Sequence, residues 1–562
     1  MSRVRVPGLG PIVGHTTACS CRLWIRAADP GDRGGELAED SRTIGVITVL
    51  TDEGKADPQD KRRTHYFRLA REFDRTGTFN LGLDRSFRIG QPEDGQPVPP
   101  AAGEPFPLAP NKPYRVRMGI LVLDDAFDND EMVDSRTLLD KLPPAGVWAQ
   151  DLASLPADQS EATFRTFPKD RVERVSFLIG SCRYPGLLWK VKEADAILEP
   201  MANHIAANPY GKDPRFVLMV GDQIYADMLN RYVPLGLADT YKEFQDRYHG
   251  AFGSRNMRKL LRSVPHYMIL DDHEIEDNWA QDRIRDRGKR LLFNLAIGAY
   301  MSYQWSHGPR TYGRWLYYTF EYGGFPFFVL DARTQRNKDV VADKLDDNYL
   351  LGRPSPDPAE PAQIDRLRHW LRAQQETHGN VPKFIVTPSV FVPNDASTVA
   401  SEEHKNASDS WAAFPATRCQ VLDTIVEHKV QNVVFLSGDI HCSCVARMRF
   451  AGSAAARRLK AYAITSSAFY WPFPFADGAP SDYVHDSKKE QDTFQLSNKI
   501  VMDYEAFNFT QEDNFCQVDI EWNQPKPSMV VRTIGSDGRL LRKVGLDGQP
   551  GDHLMATLDL AP

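Results

Sequence analysis

The sequence predicts two architectures in series: a β-sandwich over residues 1–168, then a layered α/β domain over residues 169–562. Three observations carry this. Before Thr166-Phe-Pro-Lys-Asp170 the chain reads as short alternating strands divided by Gly, Pro and Asp. From Val172 onward, short apolar runs alternate with helix-length polar–apolar stretches, the rhythm of a sheet covered by helices. The length, 562 residues, allows two to four domains at about 150 residues each.

In the first part, Cys21-Arg-Leu-Trp-Ile-Arg26 alternates, with Leu23 and Ile25 on one face and Arg22, Trp24 and Arg26 on the other. Arg42–Thr51, His65–Leu69 and Tyr114–Leu123 are further strands, with a turn-rich stretch at Gln91–Pro113 and no helical period before Ser135. Cys19 and Cys21 share a face and read as packed thiols. In the second part the apolar runs are Val175–Ile179, Phe216–Val220, Tyr267–Leu270, Phe327–Leu330, Lys383–Val386 and Val433–Leu436. Helical spacing falls at Trp189–His204, Tyr241–Arg262, Gln281–Trp305 and Ala362–Thr377. Gln517–Leu546 returns to β, with a turn at Ser536-Asp-Gly538, and reads as an edge of the second domain.

Composition narrows the function classes. Hydrophobic residues make up 42%, charged residues 25% and aromatics 10%, the mix of a soluble globular chain. The net charge of −7 comes without a basic stripe, so a nucleic-acid backbone is not the expected partner. No apolar run is long enough to span a membrane. The N-terminus, MSRVRVPGLGPIV, has no apolar export core and no twin arginine, and a cytoplasmic location is the expectation. Seven thinly scattered cysteines form no disulfide framework. Asn406-Ala407-Ser408 and Asn508-Phe509-Thr510 match a glycosylation acceptor but carry no weight without a secretion signal. The oligomeric state is not written in the chain.

The chemistry collects just after the apolar runs. Gly180-Ser-Cys-Arg183, Gly221-Asp-Gln-Ile-Tyr-Ala-Asp227, Asp271-Asp-His-Glu274, Asp331-Ala-Arg333 and Ser437-Gly-Asp-Ile-His441 each follow one. Continuing a strand through Asp271-Asp-His-Glu274 would bury half of four ionisable groups, so the strand must stop there. Ligands bind at the carboxyl ends of strands in open α/β sheets, and all five segments are expected along one edge of one sheet. Asp222, Asp272 and Asp439 are hard oxygen donors; His441 offers nitrogen, Cys182 a thiolate and Tyr225 a phenolate. That mixture is too hard for a zinc finger and too soft at Cys182 for Mg²⁺ alone. The Cys–Tyr–His–Asp part suits ferric iron; a neighbouring all-oxygen position suits Ca²⁺, Mg²⁺ or Mn²⁺. Two cations about 3.5–4 Å apart can hold both oxygens of a phosphoryl displacement. Each residue also has a plain structural reading: Cys182 a buried thiol, Tyr225 a packed ring, His273 a hydrogen-bonding support. Asp271, pointing away from Asp272, reads as a support rather than a ligand. Arg333 either clamps a phosphate bidentately or serves a cap or salt bridge. Cys442 and Cys444 read as core, and the aromatic run Phe469–Phe475 as packing.

GDQIYAD at 221–227, MILDDHEIEDNW at 268–279, LDAR at 330–333 and LSGDIH at 436–441 resemble the PhoD-like alkaline phosphatases, a branch of the calcineurin-like metallophosphoesterases. The resemblance runs over most of the chain. It implies a four-layered α/β/β/α catalytic domain behind the N-terminal β-sandwich, and metal-dependent hydrolysis of phosphate esters. It implies that Asp222 bridges two metals, that Tyr225 and Cys182 bind the ferric one, and that Asp272 binds the second. His273 would face the phosphate and protonate the leaving oxygen, with a metal-bound hydroxide attacking phosphorus. Asp439 and His441 match the last metal motif, with Asp in place of its first His. That exchange hardens the second position and makes Ca²⁺ more fitting than Zn²⁺; Fe³⁺ plus Ca²⁺ is the expected pair, with Mg²⁺, Mn²⁺ and Zn²⁺ as alternatives. Phosphodiester hydrolysis on nucleotide or phospholipid-type substrates is the main alternative. A non-catalytic metal-dependent binder is the other. The family's twin-arginine export signal is missing from this sequence.

Overall fold

The computed structural model describes residues 4–28, 43–82, 106–123, 142–186, 191–227, 237–311, 315–338, 345–396, 402–473, 484–491, 493–544 and 550–562. Arg42, Ser135, Trp189, residues 91–105, the end of the Phe469–Phe475 run and Leu546 lie outside these. The chain forms two compact units. One holds residues 1–170 with 248–267 and 298–308; the other holds 171–247, 268–297 and 309–562. The chain first crosses between the units at residue 170, and two later segments return to the first unit.

The first unit is β-rich. Val4–Arg5, Pro113–Val122, Thr43–Val49 and Thr64–Arg68 pair in that order, with Glu161–Arg165 also on Pro113–Val122. Leu9–Thr16, Ser20–Arg26 and Thr76–Gly82 form a second, antiparallel sheet. Val13, Leu23 and Ile25 of the smaller sheet share one fully buried core with Ile47, Val116 and Met118 of the larger. The other face of Ser20–Arg26 is buried too. Arg22 donates to the Gly308 carbonyl at 3.0 Å and Trp24 Nε1 to that of Ser302 at 2.9 Å, so the returning segment 298–308 covers this face. Arg26 Nε meets Asp74 Oδ2 at 2.7 Å. Alternation along the strand separates two buried faces here, not an inside from an outside.

The second unit contains two large sheets. The six-stranded one runs His266–Met268 (its first two residues are counted with the first unit), Val217–Met219, Arg174–Gly180, Asn514–Glu521, Ser528–Gly535, Met555–Asp559. The eight-stranded one runs Tyr318–Tyr322, Phe325–Val329, Lys383–Val386, Val433–Ser437, Ala461–Thr465, Ser443–Ala451, Val501–Thr510, Phe494–Gln495. Phe325–Val329, Lys383–Val386, Val433–Ser437 and Ala461–Thr465 are mutually parallel, which explains their unbroken apolar runs: parallel strands are covered on both faces. The two sheets meet through aromatic rings. Phe177 and Phe216 of the first lie 5.1 Å apart, and Phe177 meets Phe327 and Phe384 of the second at 5.6 and 5.5 Å. Helix Gln363–His378 buries Ile364, Leu367 and Leu371, the spacing of one helix face, and Asp365 accepts the Ala362 N–H at 3.1 Å to cap its start.

One expectation is corrected here. The polar segments do not line one sheet. Ser181–Arg183, Gly221–Asp227 and Asp271–Glu274 follow strands of the six-stranded sheet; Asp331–Arg333 and Gly438–His441 follow strands of the eight-stranded one. Periodicity marks a strand end but carries nothing about which strand it pairs with. Of the two glycosylation-like triplets, Asn406 accepts a hydrogen bond from Asn348 at 2.9 Å and Asn508 is buried within strand Val501–Thr510. Among the described residues, no helix is long and apolar enough to cross a membrane.

Candidate metal centre

Each candidate ligand sits where an apolar strand gives out and the backbone turns sharply. Gly221 has a left-handed φ of 94°, and a Cβ there would lie 2.5 Å from Asp271 Cβ, so only glycine lets the two loops close on each other. Four of the candidate ligands are themselves left-handed: Cys182 (58°), Asp222 (55°), Asp439 (75°) and His441 (50°). For side chains other than glycine this costs on the order of 1 kcal/mol or more each, strain that folds retain where function requires it.

The structure brings all six predicted ligands together within the second unit. Cys182, Asp222 and His441 present ligand atoms within 4.8 Å of one another; so do Asp222, Asp272 and His273, and Asp271, Asp272 and Asp439. Asp222 belongs to the first two groups and Asp272 to the last two. Tyr225 joins through its hydroxyl, which donates to Asp222 Oδ2 at 3.2 Å and lies 3.3 Å from His441 Nε2. The His441 ring is stacked on Trp471 at 3.6 Å, and its backbone N–H donates to Ser467 Oγ at 3.1 Å.

Electrostatics point the same way. Burial pushes the Cys182 thiol up to about 12, with Asp439 adding to it. Burial and the neighbouring Cys182, Asp271 and Asp272 raise Asp222 well above the carboxylate range. Burial and then Asp409, Asp271 and Asp272 do the same to Asp439. Tyr225 is raised by burial and by Asp222. Burial takes His441 down to about 3, aided by His273, so it is a neutral donor. Asp222 Oδ1 is buried with no hydrogen-bond partner. Clustered acids that resist ionisation, an orphaned carboxylate oxygen and a neutral imidazole fit a site completed by cations.

Around these ligands lies a shell that sequence reasoning missed. Glu274, read as part of a charge run, is fully buried and accepts the backbone N–H groups of Asp222 (3.2 Å), Gln223 (2.7 Å) and Asp271 (3.0 Å). It laces two ligand loops together. Asp227 holds His273 Nδ1 at 2.7 Å and accepts the Asp277 N–H at 2.6 Å. Burial opposes the charge on His273, but Asp272 and Asp227 outweigh it and hold its pKa up at about 10. Asp227 stands inside a motif already noticed, so its position was visible though its role was not.

Arg333 is fully buried. Its Nε donates to Asp271 at 2.5 Å, its Nη1 and Nη2 to Asp409 at 2.9 and 2.5 Å, and Nη2 lies 3.4 Å from Asp272. The bidentate fork that a phosphate clamp would need is filled by Asp409, the geometry of the salt-bridge alternative. Asp409 also pairs with fully buried Arg336. Burial disfavours the charge on Asp272, but Arg333 and His273 outweigh it and lower its pKa. Nothing in the sequence flagged Asp409 or Arg336. Cys442 and Cys444 are buried.

Fold and site together define an α/β protein with buried groups of acidic, histidine and cysteine side chains that could hold a metal, set at the strand ends of two sheets. Residues 198–526 match the family model described as "PhoD-like phosphatase", and the chain belongs to that family. It is 27% identical over 248 residues to alkaline phosphatase D of Bacillus subtilis (strain 168). That alignment takes in 40% of this chain and spans 41% of the length of that relative. Among solved structures, "Structure of PhoD" superposes with a TM-score of 0.59 at 17% identity, covering 99% of this chain and 89% of that one, a likeness of fold.

Proposed function

We propose that the chain hydrolyses phosphate esters, in a β-sandwich followed by a four-layered α/β/β/α catalytic domain. The observation that carries the reading is the meeting of Cys182, Asp222, Tyr225, Asp272, Asp439 and His441, drawn from distant loops, in one buried cluster. Cys182, Tyr225, His441 and Asp222 would hold Fe³⁺; Asp222, Asp272 and Asp439 would hold a harder ion such as Ca²⁺. Bound there, such ions supply an acidified water and offset charge on the phosphoryl oxygens. The chain's own groups do the rest. Asp227 engages Nδ1 of His273, which leaves Nε2 as the atom that can give a proton to the departing alcohol. Arg333 sets Asp271 and Asp272 in place from behind, as a positioning cation rather than a phosphate clamp. Glu274 fixes the spacing between the Asp222 and Asp271 loops. Asp222→Ala is the test: metal content and turnover of p-nitrophenyl phosphate should fall together. Native turnover in that variant would overturn the assignment.

A further inference from the structure

Beside the candidate ligands stands a wall of rings. Tyr184 lies 5.4 Å from Trp471 and 5.5 Å from Phe473, and Trp471 lies 5.1 Å from Phe473, with interplanar angles of 86°, 80° and 67°. The wall begins at the metal centre: Trp471 stacks on His441 at 3.6 Å, and Tyr184 meets Tyr225 at 5.2 Å. It ends in water, because Phe473 is 43% exposed, one of few large apolar side chains so exposed among the described residues. From sequence alone, Phe469–Phe475 reads as packing. Buried packing does not explain an exposed phenyl ring set edge-on against Trp471 and Tyr184, the two rings that touch His441 and Tyr225.

The rings touch one another too closely to cage a cation between them, so the wall offers a surface to lie against. The polar groups tied to it are acidic. Asp513 accepts the Trp471 backbone N–H at 3.1 Å, and Glu193 accepts the Tyr470 hydroxyl at 3.3 Å. A polyanionic group would meet these carboxylates; a flat apolar one would not.

We propose that Tyr184, Trp471 and Phe473 seat the leaving alcohol of the ester, and that this alcohol bears an aromatic ring without negative charge. The proposal rests on the hydrolase reading above and names its substrate class. Phe473 is the residue to alter, since its ring contacts are with Tyr184 and Trp471 rather than with a candidate ligand. Calorimetric titration of the metal-loaded full chain with phenylphosphonate and methylphosphonate should show the phenyl compound binding more tightly. Phe473→Ala should shrink that preference roughly two- to tenfold, the worth of one aromatic pair, and Phe473→Tyr should keep it. The kcat/KM ratio of phenyl phosphate to glycerol phosphate should fall alongside, through KM. Native protein that turns over both esters but binds the two phosphonates equally overturns this proposal and leaves hydrolysis standing. So does a preference that Phe473→Ala leaves unchanged. Native protein that turns over neither ester overturns both readings.

Discussion

Asp409 is the most exposed point of the buried charge network, and Asp409→Asn tests whether that network holds the centre together. One carboxylate serves two guanidiniums, Arg333 at 2.5 and 2.9 Å and Arg336 beside it. Both arginine side chains have 0% exposure; that of Asp409 has 16%. Burial works against the carboxylate's charge, yet Arg333 and Arg336 hold its pKa far below the usual range, and Asn cannot supply that charge. Removing one partner of a buried pair costs about 3–5 kcal/mol, because the remaining charge stays desolvated. Arg333 keeps Asp271 at 2.5 Å, and water reaches the Asp409 side of the network, so the lower end, about 3 kcal/mol, is expected. Urea is the denaturant to use, since guanidinium salts screen the interaction being measured. Arg336→Met combined with Asp409→Asn should lose less than the sum of the two, because fewer charges are then stranded. A loss under about 1 kcal/mol with an unchanged denaturant slope, or strict additivity in the double variant, would refute the reasoning.

Two further outcomes are expected. A Cβ on Gly438 would run into Ser181 Oγ and lie 2.5 Å from Ser181 Cβ and 2.8 Å from the Val220 carbonyl, so Gly438→Ala must push the Asp439 loop away from the Cys182 and Asp222 loops; metal affinity measured by dialysis should drop about ten- to a hundredfold, and native affinity would contradict the packing described. In the first unit, burial holds His266 down at about 4 and burial with its neighbour His266 holds His307 down at about 3, both fully buried. Their folded pKa values lie below that of the unfolded chain, about 6.5, so the unfolded chain gains protons first as pH falls. Stability should therefore be full above about pH 6.5 and decline towards pH 4, by about 2 kcal/mol per histidine at pH 5. His307→Gln should remove its share of that decline between pH 7.5 and 5 in urea unfolding; an equal decline in both proteins would dismiss it.

What the sequence disclosed divides along a physical line. A strand that must stop before Asp271-Asp-His-Glu274 is a local fact, because burial of charge is punished wherever the chain runs. The same holds for the switch from period two to helical spacing near Val172. The six ligand candidates were legible for that reason, together with the motif resemblance. Strand pairing is not local. Val433–Ser437 and Val217–Met219 look alike in sequence yet belong to different sheets, so the single-sheet expectation had nothing to correct it. The Asp409 pairing is of the same kind: a lone acid in Asn-Ala-Ser-Asp-Ser reads as a turn, and its arginines lie in another segment. Glu274 hid in plain view, since a carboxylate that collects backbone N–H groups has no sequence pattern distinct from a solvated one.

The place of Arg174–Gly180 within its sheet has a consequence for biosynthesis. Its neighbours are Val217–Met219 on one side and Asn514–Glu521 on the other, the latter contributed from near the far end of the chain. A ribosome-bound intermediate that has not yet exposed that late strand leaves Arg174–Gly180 as an open border, with Cys182 hanging from its tip. The strand that leads into Cys182 therefore gains its second neighbour only once Asn514–Glu521 has been made, more than three hundred residues later in the chain.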